Sequence, residues 1–294
     1  MKASIFETYG GPEVLHYTDV PVPQPRRGEA LVKVHAVGLN GYDLMARAGR
    51  YKPNKGKFPH ILGGDFGGEL VALGPETTCD FALGTRVTSW WILPCKRCEQ
   101  CMAGHHNRCA RDYRYLGAHE HGAYAEYVRL PADHLIALPP NVSYESAAAF
   151  PNAFGTAWHM LIDRGGLRAG ETVLVNSASS GVSMAAIQIC KLAGAYVYTT
   201  SSADWKLERA KELGGNGASH VQPASSSRER PISFRHACSL ARSSVRIGSD
   251  VNTLMRFSSS RNAVRNASHF SVSVPSTAAG SSTPQCAVIG WPGQ

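Results

Sequence analysis

The sequence predicts an α/β protein of two domains: an N-terminal β-barrel or sandwich, followed by a domain built on a doubly wound parallel sheet. Residues 1–140 contain short apolar segments broken by Gly and Pro, a pattern that is typical of an all-β domain. The clearest strand candidates are 31–37, 69–73, 86–91 and 124–130. After residue 140 the pattern becomes strand, loop, helix, strand, helix, which opens a parallel sheet. A length of 294 residues also suggests about two domains.

Four cysteines interrupt the β-rich domain. Cys95, Cys98, Cys101 and Cys109 stand three, three and eight residues apart in the run PCKRCEQCMAGHHNRC. Four thiolates can close a tetrahedron around Zn²⁺ and leave no open position for water or substrate, so the spacing predicts one structural zinc ion per chain. The alternative is a redox pair or two disulfides, but a chain of this size does not need disulfide staples. The lobe 95–109 has no apolar core, so metal would have to order it.

Two short helices are predicted after Pro140. Ser143 can cap a helix that runs into the alanines of 147–150 and is interrupted by Pro151. A second short helical segment follows at 156–161.

The parallel sheet is predicted from two strands and the helices that follow them. The apolar segment 171–176 is the first strand, and 182–193 carries apolar residues at helical spacing before Gly194. The segment 195–200 is the second strand, after which Ser202 can cap another helix.

The loop 177–181 joins the first of these strands to its helix. The pyrophosphate of a dinucleotide binds at such a position, on the N–H groups of the helix N-terminus. Of a glycine fingerprint, Gly181 alone remains among serines, and a plain strand–helix turn is the alternative. The candidate cofactor-binding residues in this loop are Ser179, Ser180, Gly181 and Val182.

Three stretches of the chain together resemble a known family. They are the cysteine lobe, AAAFPNAFGTAWHML, and VLVNSASSGVSMAAIQICKLAGAYVYTTSSADWKLERAKELG. These are similar to the medium-chain dehydrogenase/reductase superfamily, and within it to zinc-binding, quinone-oxidoreductase-like homologues of alcohol dehydrogenase. The resemblance covers residues 1 to about 221. It implies a GroES-like barrel domain at 1–140, an incomplete Rossmann domain at 141–221, an active site between the two domains, and a small-molecule substrate. Members of this family usually form homo-oligomers.

The resemblance also shows where a catalytic zinc would bind. Zinc alcohol dehydrogenases have Cys-His where this chain has Asn40 and Gly41, and His-Glu where it has Asp65 and Phe66. They have Cys where this chain has Asn152. Asn and Asp would make a hard-oxygen site that suits zinc poorly. The pattern is similar to the quinone-reductase branches, which transfer hydride without a catalytic metal.

Without zinc, other groups must orient the substrate and supply a proton, and the resemblance implies three candidates. Tyr51 is placed like the tyrosine that points at the nicotinamide in enoyl and quinone reductases, and a phenol can donate a proton. The alternative is a tyrosine on the barrel surface. Asn40 could bond substrate or nicotinamide, and Thr156 resembles a residue near that ring. We expect Asp43 to shape its loop and Asp65 to be a polar residue of the cleft.

The end of the second strand indicates which dinucleotide binds. NAD-binding proteins usually have an acid there for the ribose 2′-OH. This chain has hydroxyl residues, including Ser201, and then Lys206. Hydroxyls and a lysine suit a 2′-phosphate, so the sequence predicts NADP(H). The alternative places Lys206 on an exposed helix face with no role in binding.

The segment 222–294 differs from the rest of the chain. It contains 17 serines, eight arginines and two acids, so six of the eight net positive charges fall there. The sequence predicts that this segment is not the native continuation of the fold, arising from a shifted frame or an altered gene model, and that it is disordered. The strands that pair subunits would then be missing. Because the charge lies in this segment, and few aromatic residues accompany it, nucleic-acid binding is not expected.

The remaining expectations concern location and activity. No apolar segment approaches the ~18 residues of a membrane span, and no signal peptide is recognisable at the N-terminus, so a cytoplasmic protein without membrane contact is expected. The activity predicted from the family is hydride transfer from NADPH to a quinone, enone or related carbonyl without a catalytic zinc, and the chain as written is expected to be poorly stable and weakly active or inactive. The alternative is a protein that keeps the fold without turnover, either a binding or regulatory protein or an inactive product.

Overall fold

Antiparallel strands build the N-terminal unit, Met1–Asn152, of the computed structural model, which describes residues 1–220 and 286–289. Its strands are β1 (Lys2–Phe6), β2 (His16–Asp19), β3 (Glu29–Gly38), β4 (His60–Ile61), β5 (Asp65–Leu73), β6 (Arg86–Ser89), β7 (Ile92–Leu93), β8 (Arg114–Tyr115), β9 (Tyr127–Pro131) and β10 (Leu135–Ala137). They form sheets of order β2-β1-β4, β10-β6-β5-β3-β9 and β7-β8.

The five-stranded sheet carries the main core of this unit. Its buried side chains include Val32, Phe66, Leu70, Val87 and Val128. Strands β10 and β9 are its edges, so within the described residues the sheet is open rather than closed on itself. A single bridge between Ala3 and Ala125 connects β1 to the segment before β9. The predicted barrel domain is therefore a set of linked open sheets.

Three short helices belong to this unit: α1 (Gly41–Arg47), α2 (Glu99–Met102) and α3 (Tyr144–Ala149). The predicted cap of α3 is present, since Ser143 Oγ accepts the backbone N–H of Ser146 at 3.1 Å. The α3 backbone lies directly on the sheet at Gly67, where a Cβ would stand 2.4 Å from the carbonyl oxygen of Tyr144. The Tyr144 ring stacks on His35 with centroids 4.4 Å apart. These contacts attach α3 to the five-stranded sheet of this unit.

The second unit, from Ala153 onward, contains a parallel sheet. Its strands are β11 (Thr172–Val175), β12 (Tyr196–Ser201), β13 (Gly217–His220) and β14 (Cys286–Ile289), in the order β13-β12-β11-β14. Helix α4 (Pro151–Trp158) begins at the proline that was expected to interrupt the preceding helix, and it continues into this unit. A π-helical turn, His159–Arg164, follows it, and α5 (Gly181–Leu192) and α6 (Asp204–Glu212) come later. The apolar face of α5 is buried as its spacing predicts.

Two local predictions in this unit differ from the structure. The N-cap of α6 is Ala203, without a side-chain hydrogen bond, rather than Ser202. The segment 156–161 is divided between α4 and the π-helical turn that follows it. Gly194 does end α5, in the left-handed region at φ 72°.

One strand comes from the Ser/Arg-rich segment. Cys286–Ile289 pairs in parallel with β11, with Thr172 opposite Cys286 and Val175 opposite Ile289. The other residues of 222–294, for which disorder is predicted, lie outside the described residues. The sequence CAVI is apolar but too short for a periodicity to identify it. Of the helices that the structure describes, none has the length and apolar character to cross a bilayer.

Candidate functional site

The four predicted metal-binding cysteines lie together in the N-terminal unit. The Sγ atoms of Cys95, Cys98, Cys101 and Cys109 are all within 4.8 Å of one another, and those of Cys95 and Cys101 are 4.0 Å apart. Thiolates at ~2.3 Å from a tetrahedral zinc ion would stand about 3.8 Å from each other. The donor set and its spacing therefore fit a zinc ion.

Backbone N–H groups surround the sulfur atoms of this lobe. Those of Ala110 and Cys101 lower the pKa of the Cys98 thiol to about 6. The backbone N–H of Cys95 donates to Cys109 Sγ at 3.3 Å. Burial raises the pKa of Cys101 to about 12, an effect to which its neighbour Cys98 adds. Some of these thiols would release protons when metal binds, because the thiolate is the ligand.

The start of the lobe is attached to the turn Ala132–His134. The Lys96 ammonium donates to the carbonyl of Asp133 and lies 3.7 Å from its carboxylate. The His134 ring nitrogen Nε2 is 3.1 Å from the carbonyl oxygen of Pro94. The segment entering the lobe is thus held in place by contacts outside the cysteines themselves.

A second polar cluster forms around Asp65, the first residue of β5. Asp65 Oδ2 accepts a hydrogen bond from Asn40 Nδ2 at 3.0 Å and another from the backbone N–H of Asn152 at 3.2 Å. Only 2% of Asp65 is exposed. Burial raises its pKa to about 6, although the hydrogen bonds from Asn40 and Asn152 oppose the shift.

Asp43 anchors the loop beside this cluster. Its Oδ2 accepts the backbone N–H of Asn40 at 2.9 Å and the hydroxyl of Tyr124 at 3.0 Å, and its Oδ1 accepts the N–H of Gly63 at 3.2 Å. Burial raises the pKa of Asp43, while these hydrogen bonds oppose that shift. The bonds hold the backbone of Asn40 so that its side chain reaches Asp65.

The positions where the resemblance expects catalytic zinc ligands are Asn40, Asp65 and Asn152. The fold brings them together, but the side chains are two amides and one carboxylate. Zinc prefers thiolate and imidazole ligands. Among the described residues, the cysteine lobe is the one close group of three or more Cys, His, Asp or Glu donors. The cluster around Asp65 therefore does not fit a zinc ion.

A small cleft opens beside Asp65. It is lined by Asn40, Tyr42, Asp43, Gly64, Asp65, Trp91, Leu116 and Asn152. Tyr42 lies between two other rings, with its centroid 5.6 Å from that of Tyr51 and 5.9 Å from that of Trp91. The Trp91 ring in turn stacks on Tyr115 at 4.5 Å. One side of the cleft is thus an aromatic wall.

Tyr51, a candidate proton donor in the sequence analysis, lies outside this cleft. It is 46% exposed and does not line the cleft, and its ring stacks on Tyr42. Tyr42 is the tyrosine in the cleft, and sequence reasoning missed it. Its position two residues after Asn40 was the available signal. Burial raises the pKa of Tyr42 to about 12.

The loop before α5 in the second unit is tightly folded. Ser180 is the N-cap residue: its Oγ accepts the N–H of Ser183 at 3.1 Å and donates to Ser183 Oγ at 2.7 Å. Ser177 adopts a left-handed conformation at φ 63°. The N–H of Ala178 bonds to the carbonyl of Thr200 at 2.9 Å. The Ser180 hydroxyl is therefore used in capping the helix.

The other predicted residues of this loop have different surroundings. The Val182 side chain packs against the core of the unit, so only its backbone N–H is suited to a ligand. Gly181 is exposed, Ser179 is partly exposed, and nothing lies closer to a Cβ at Gly181 than Ala153, at 3.7 Å. The first N–H groups of a helix have no partner within it, so Gly181 and Val182 present two donors at the positive end of α5.

The residues after β12 are partly engaged with their own backbone. The Thr199 hydroxyl donates to the carbonyl of Val175 at 2.8 Å. Ser201 is 8% exposed and its Oγ accepts the N–H of Ala203 at 3.3 Å. Lys206 Nζ lies 5.4 Å from the ring centroid of Trp205, a cation–π arrangement. Thr156 is a half-buried residue of α4.

Comparison with known proteins connects these features to one family. Residues 26–140 match the model of the alcohol dehydrogenase GroES-like domain. The chain is 34% identical over 217 residues to an alcohol dehydrogenase of Geobacillus stearothermophilus, covering 74% of this chain and 62% of that protein. It is 34% identical over 219 residues to a quinone oxidoreductase of Pongo abelii, covering 74% and 56%.

A solved structure is also similar to this chain. It is described as an NAD-dependent alcohol dehydrogenase, and it matches with a TM-score of 0.71 and 47% identity over 75% of this chain and 63% of that one. The chain belongs to the medium-chain dehydrogenase/reductase superfamily. In a member of this superfamily, the sheets of the first unit form the GroES-like domain and the parallel sheet belongs to the Rossmann domain. The chain spans less than two thirds of the length of each of these relatives.

Proposed function

We propose that this chain is an oxidoreductase that transfers a hydride from NADPH to a quinone, an enone or a related carbonyl compound without a catalytic zinc. The observation that carries the proposal is the cluster of Asn40, Asp65 and Asn152. These are the positions at which the resemblance expects catalytic metal ligands, and they carry neither thiolate nor imidazole. Zinc polarises an alcohol or carbonyl oxygen in metal-dependent relatives, so this chain would rely on hydrogen bonds and proton transfer instead.

The aromatic wall of the cleft is suited to binding a planar substrate. Tyr42 and Trp91 both line the cleft that contains Asp65. Flat conjugated rings pack well against such side chains, and a carbonyl on the ring could accept a hydrogen bond from a polar group beside them. The sequence similarity to a quinone oxidoreductase also supports a planar substrate.

The choice of NADPH is supported by the residues after β12. The chain has no acid at the end of this strand, and Ser201 and Lys206 follow. A lysine and a hydroxyl suit a 2′-phosphate. The N–H groups of Gly181 and Val182 are placed to receive the pyrophosphate. NAD is the competing cofactor, because the solved relative described above is NAD-dependent. When bound, the reduced nicotinamide would supply the hydride.

The cysteine lobe is proposed to hold one structural zinc ion. The four thiols fill all the positions of a tetrahedron, so the ion would stabilise the fold and take no part in chemistry.

Turnover with a panel of quinones and enones tests the proposed activity. The full chain should oxidise NADPH faster than NADH, as followed by loss of the reduced-nicotinamide absorbance. Primary alcohols with NADP⁺, the test for metal-dependent chemistry, should give no reaction. The rival function is a fold-retaining protein without turnover. Calorimetry showing that NADPH binds while no acceptor is reduced would select that rival.

A further inference from the structure

We infer that Asp65 is the proton donor of the cleft, a catalytic acid that protonates the oxygen of a bound carbonyl compound. The inference rests on the proposed function for its substrate class. Tyr51, the proton donor suggested by spacing, does not line the cleft, whereas Asp65 does.

The two oxygens of Asp65 have unequal surroundings. Oδ2 accepts hydrogen bonds from Asn40 Nδ2 and from the N–H of Asn152. Oδ1 is buried and has no hydrogen-bond partner among the described residues. Because both donors favour a lone pair on Oδ2, a proton on this carboxyl group belongs on Oδ1. A buried O–H without a partner is costly, and a substrate oxygen would satisfy it.

The other acidic groups near the cleft are less suited to this role. Both oxygens of Asp43 accept hydrogen bonds, from Asn40, Tyr124 and Gly63. Tyr42 also lines the cleft, but burial and the nearby Asp43 carboxylate raise its pKa to about 12. A tyrosine that holds its proton so firmly is a weaker acid than a carboxyl group.

Three titratable groups lie near Asp65. They are Asp43 and Tyr42 of α1 and Tyr124 of the loop before β9. Burial is the main reason that the pKa of Asp65 rises to about 6, and the Asp43 carboxylate adds to the rise. A catalytic acid is most effective when its pKa is close to the working pH.

Asp65 would supply the proton that reduction of a quinone needs. Reduced nicotinamide, when bound, would provide a hydride with its electron pair, and a quinone that accepted it would become a quinol anion. The O–H bond of Asp65 breaks, its electron pair stays on the carboxylate, and a new O–H bond forms on the quinol. Hydrogen bonds from Asn40 and Asn152 would stabilise the carboxylate, which would then take up one proton from the solvent. The sum is quinone, NADPH and one proton giving quinol and NADP⁺.

Two experiments without cofactor test the inference on the full chain. The first follows the infrared C=O band of a protonated carboxyl group between pH 5 and 8. This band should be present at pH 5.5, be lost as the pH rises, and be missing in Asp65→Asn. The second measures binding of duroquinone. A single hydrogen bond of about 1 kcal/mol predicts roughly fivefold tighter binding at pH 5.5 than at pH 8. Asp65→Asn should bind duroquinone with the same affinity at both pH values.

The matched control is Asp80→Asn, at an exposed aspartate, which should keep the band and the pH dependence. Asp65→Glu, which retains an acid, should keep a pH dependence with a shifted midpoint, and circular dichroism checks that each variant folds. A band that survives in Asp65→Asn, or a pH dependence of binding unchanged by that substitution, would overturn the inference.

Turnover separates this inference from the proposed function. If duroquinone is reduced, Asp65→Asn should lower kcat by about 10²-fold or more at pH 6, the range of a lost general acid, and should flatten the decline of the rate above pH 6. If the wild-type chain reduces no acceptor, the proposed function fails, and the infrared and binding results alone decide the role of Asp65.

Discussion

Asn40 Nδ2 donates to Asp65 Oδ2 across 3.0 Å, joining the N-cap of α1 to the first residue of β5. Asn152 adds a second donor to the same oxygen from the first turn of α4. Three segments that are distant in sequence thus meet at one buried carboxyl group. The arrangement leaves the other oxygen of that group free of partners among the described residues.

As the pH rises, the free energy of unfolding of Asp65→Asn should increase relative to that of the wild type. The folded-state pKa of Asp65 is about 6, against an ordinary value of 3.8. Between these values the unfolded chain ionises first, so the stability contributed by the protonated group is lost as the pH rises through 6. Two pKa units correspond to at most about 3 kcal/mol. Urea unfolding of both proteins at pH 4.5, 5.5, 6.5 and 7.5 measures the difference, and Asp80→Asn is the control. A constant difference across this range would contradict the prediction.

Purified reduced protein should contain one zinc ion per chain. Cys98→Ser should lower that content severalfold, because it removes one of four closely spaced thiols. Cys79→Ser, outside the lobe, should leave it unchanged. Elemental analysis measures the content. Since metal would order the lobe, strong chelators should also make it sensitive to protease. Equal zinc content in the two variants would show that these thiols do not hold the ion.

Lys206→Ala should narrow the preference for NADPH over NADH by roughly tenfold, the loss expected for one charged hydrogen bond of about 1.5 kcal/mol. Lys211→Ala is the control on the same helix, because Lys211 pairs with Glu208 at 2.7 Å. Isothermal titration of both cofactors gives the ratio. The prediction fails if both cofactors bind equally to the wild type, or if Lys211→Ala has the same effect.

Gly67→Ala should destabilise the first unit by about 1–3 kcal/mol, the usual range for overpacking. A Cβ there would stand 2.4 Å from the carbonyl oxygen of Tyr144 and 2.9 Å from its Cα, so α3 would have to move off the sheet. Gly41→Ala is the matched control, because nothing lies within 4 Å of its added Cβ. Chemical denaturation compares the two, and equal stability would show that α3 can shift freely.

Much of the fold could be predicted from local patterns. The spacing of the cysteines predicted that four thiols lie together in one lobe, and the helical period after residue 181 identified α5. Ser143 and Gly194 marked helix ends correctly, because a cap or a left-handed residue acts within one turn of its own position. The packing of α3 on β3 and β5 could not be predicted, since it joins segments that are distant in sequence.

The sequence by itself determined which chemical groups are present: four thiols in one lobe, a strand–serine loop–helix unit, and no Cys or His where the family holds its catalytic metal. Tertiary structure decided which of them act together. Asp65 and Asn152 are 87 residues apart, and their contact comes from packing rather than spacing. Burial, which raises the pKa of Asp65, is also a property of the folded chain alone. Tertiary packing likewise places Tyr42, and not Tyr51, in the lining of the cleft, although sequence spacing favoured Tyr51.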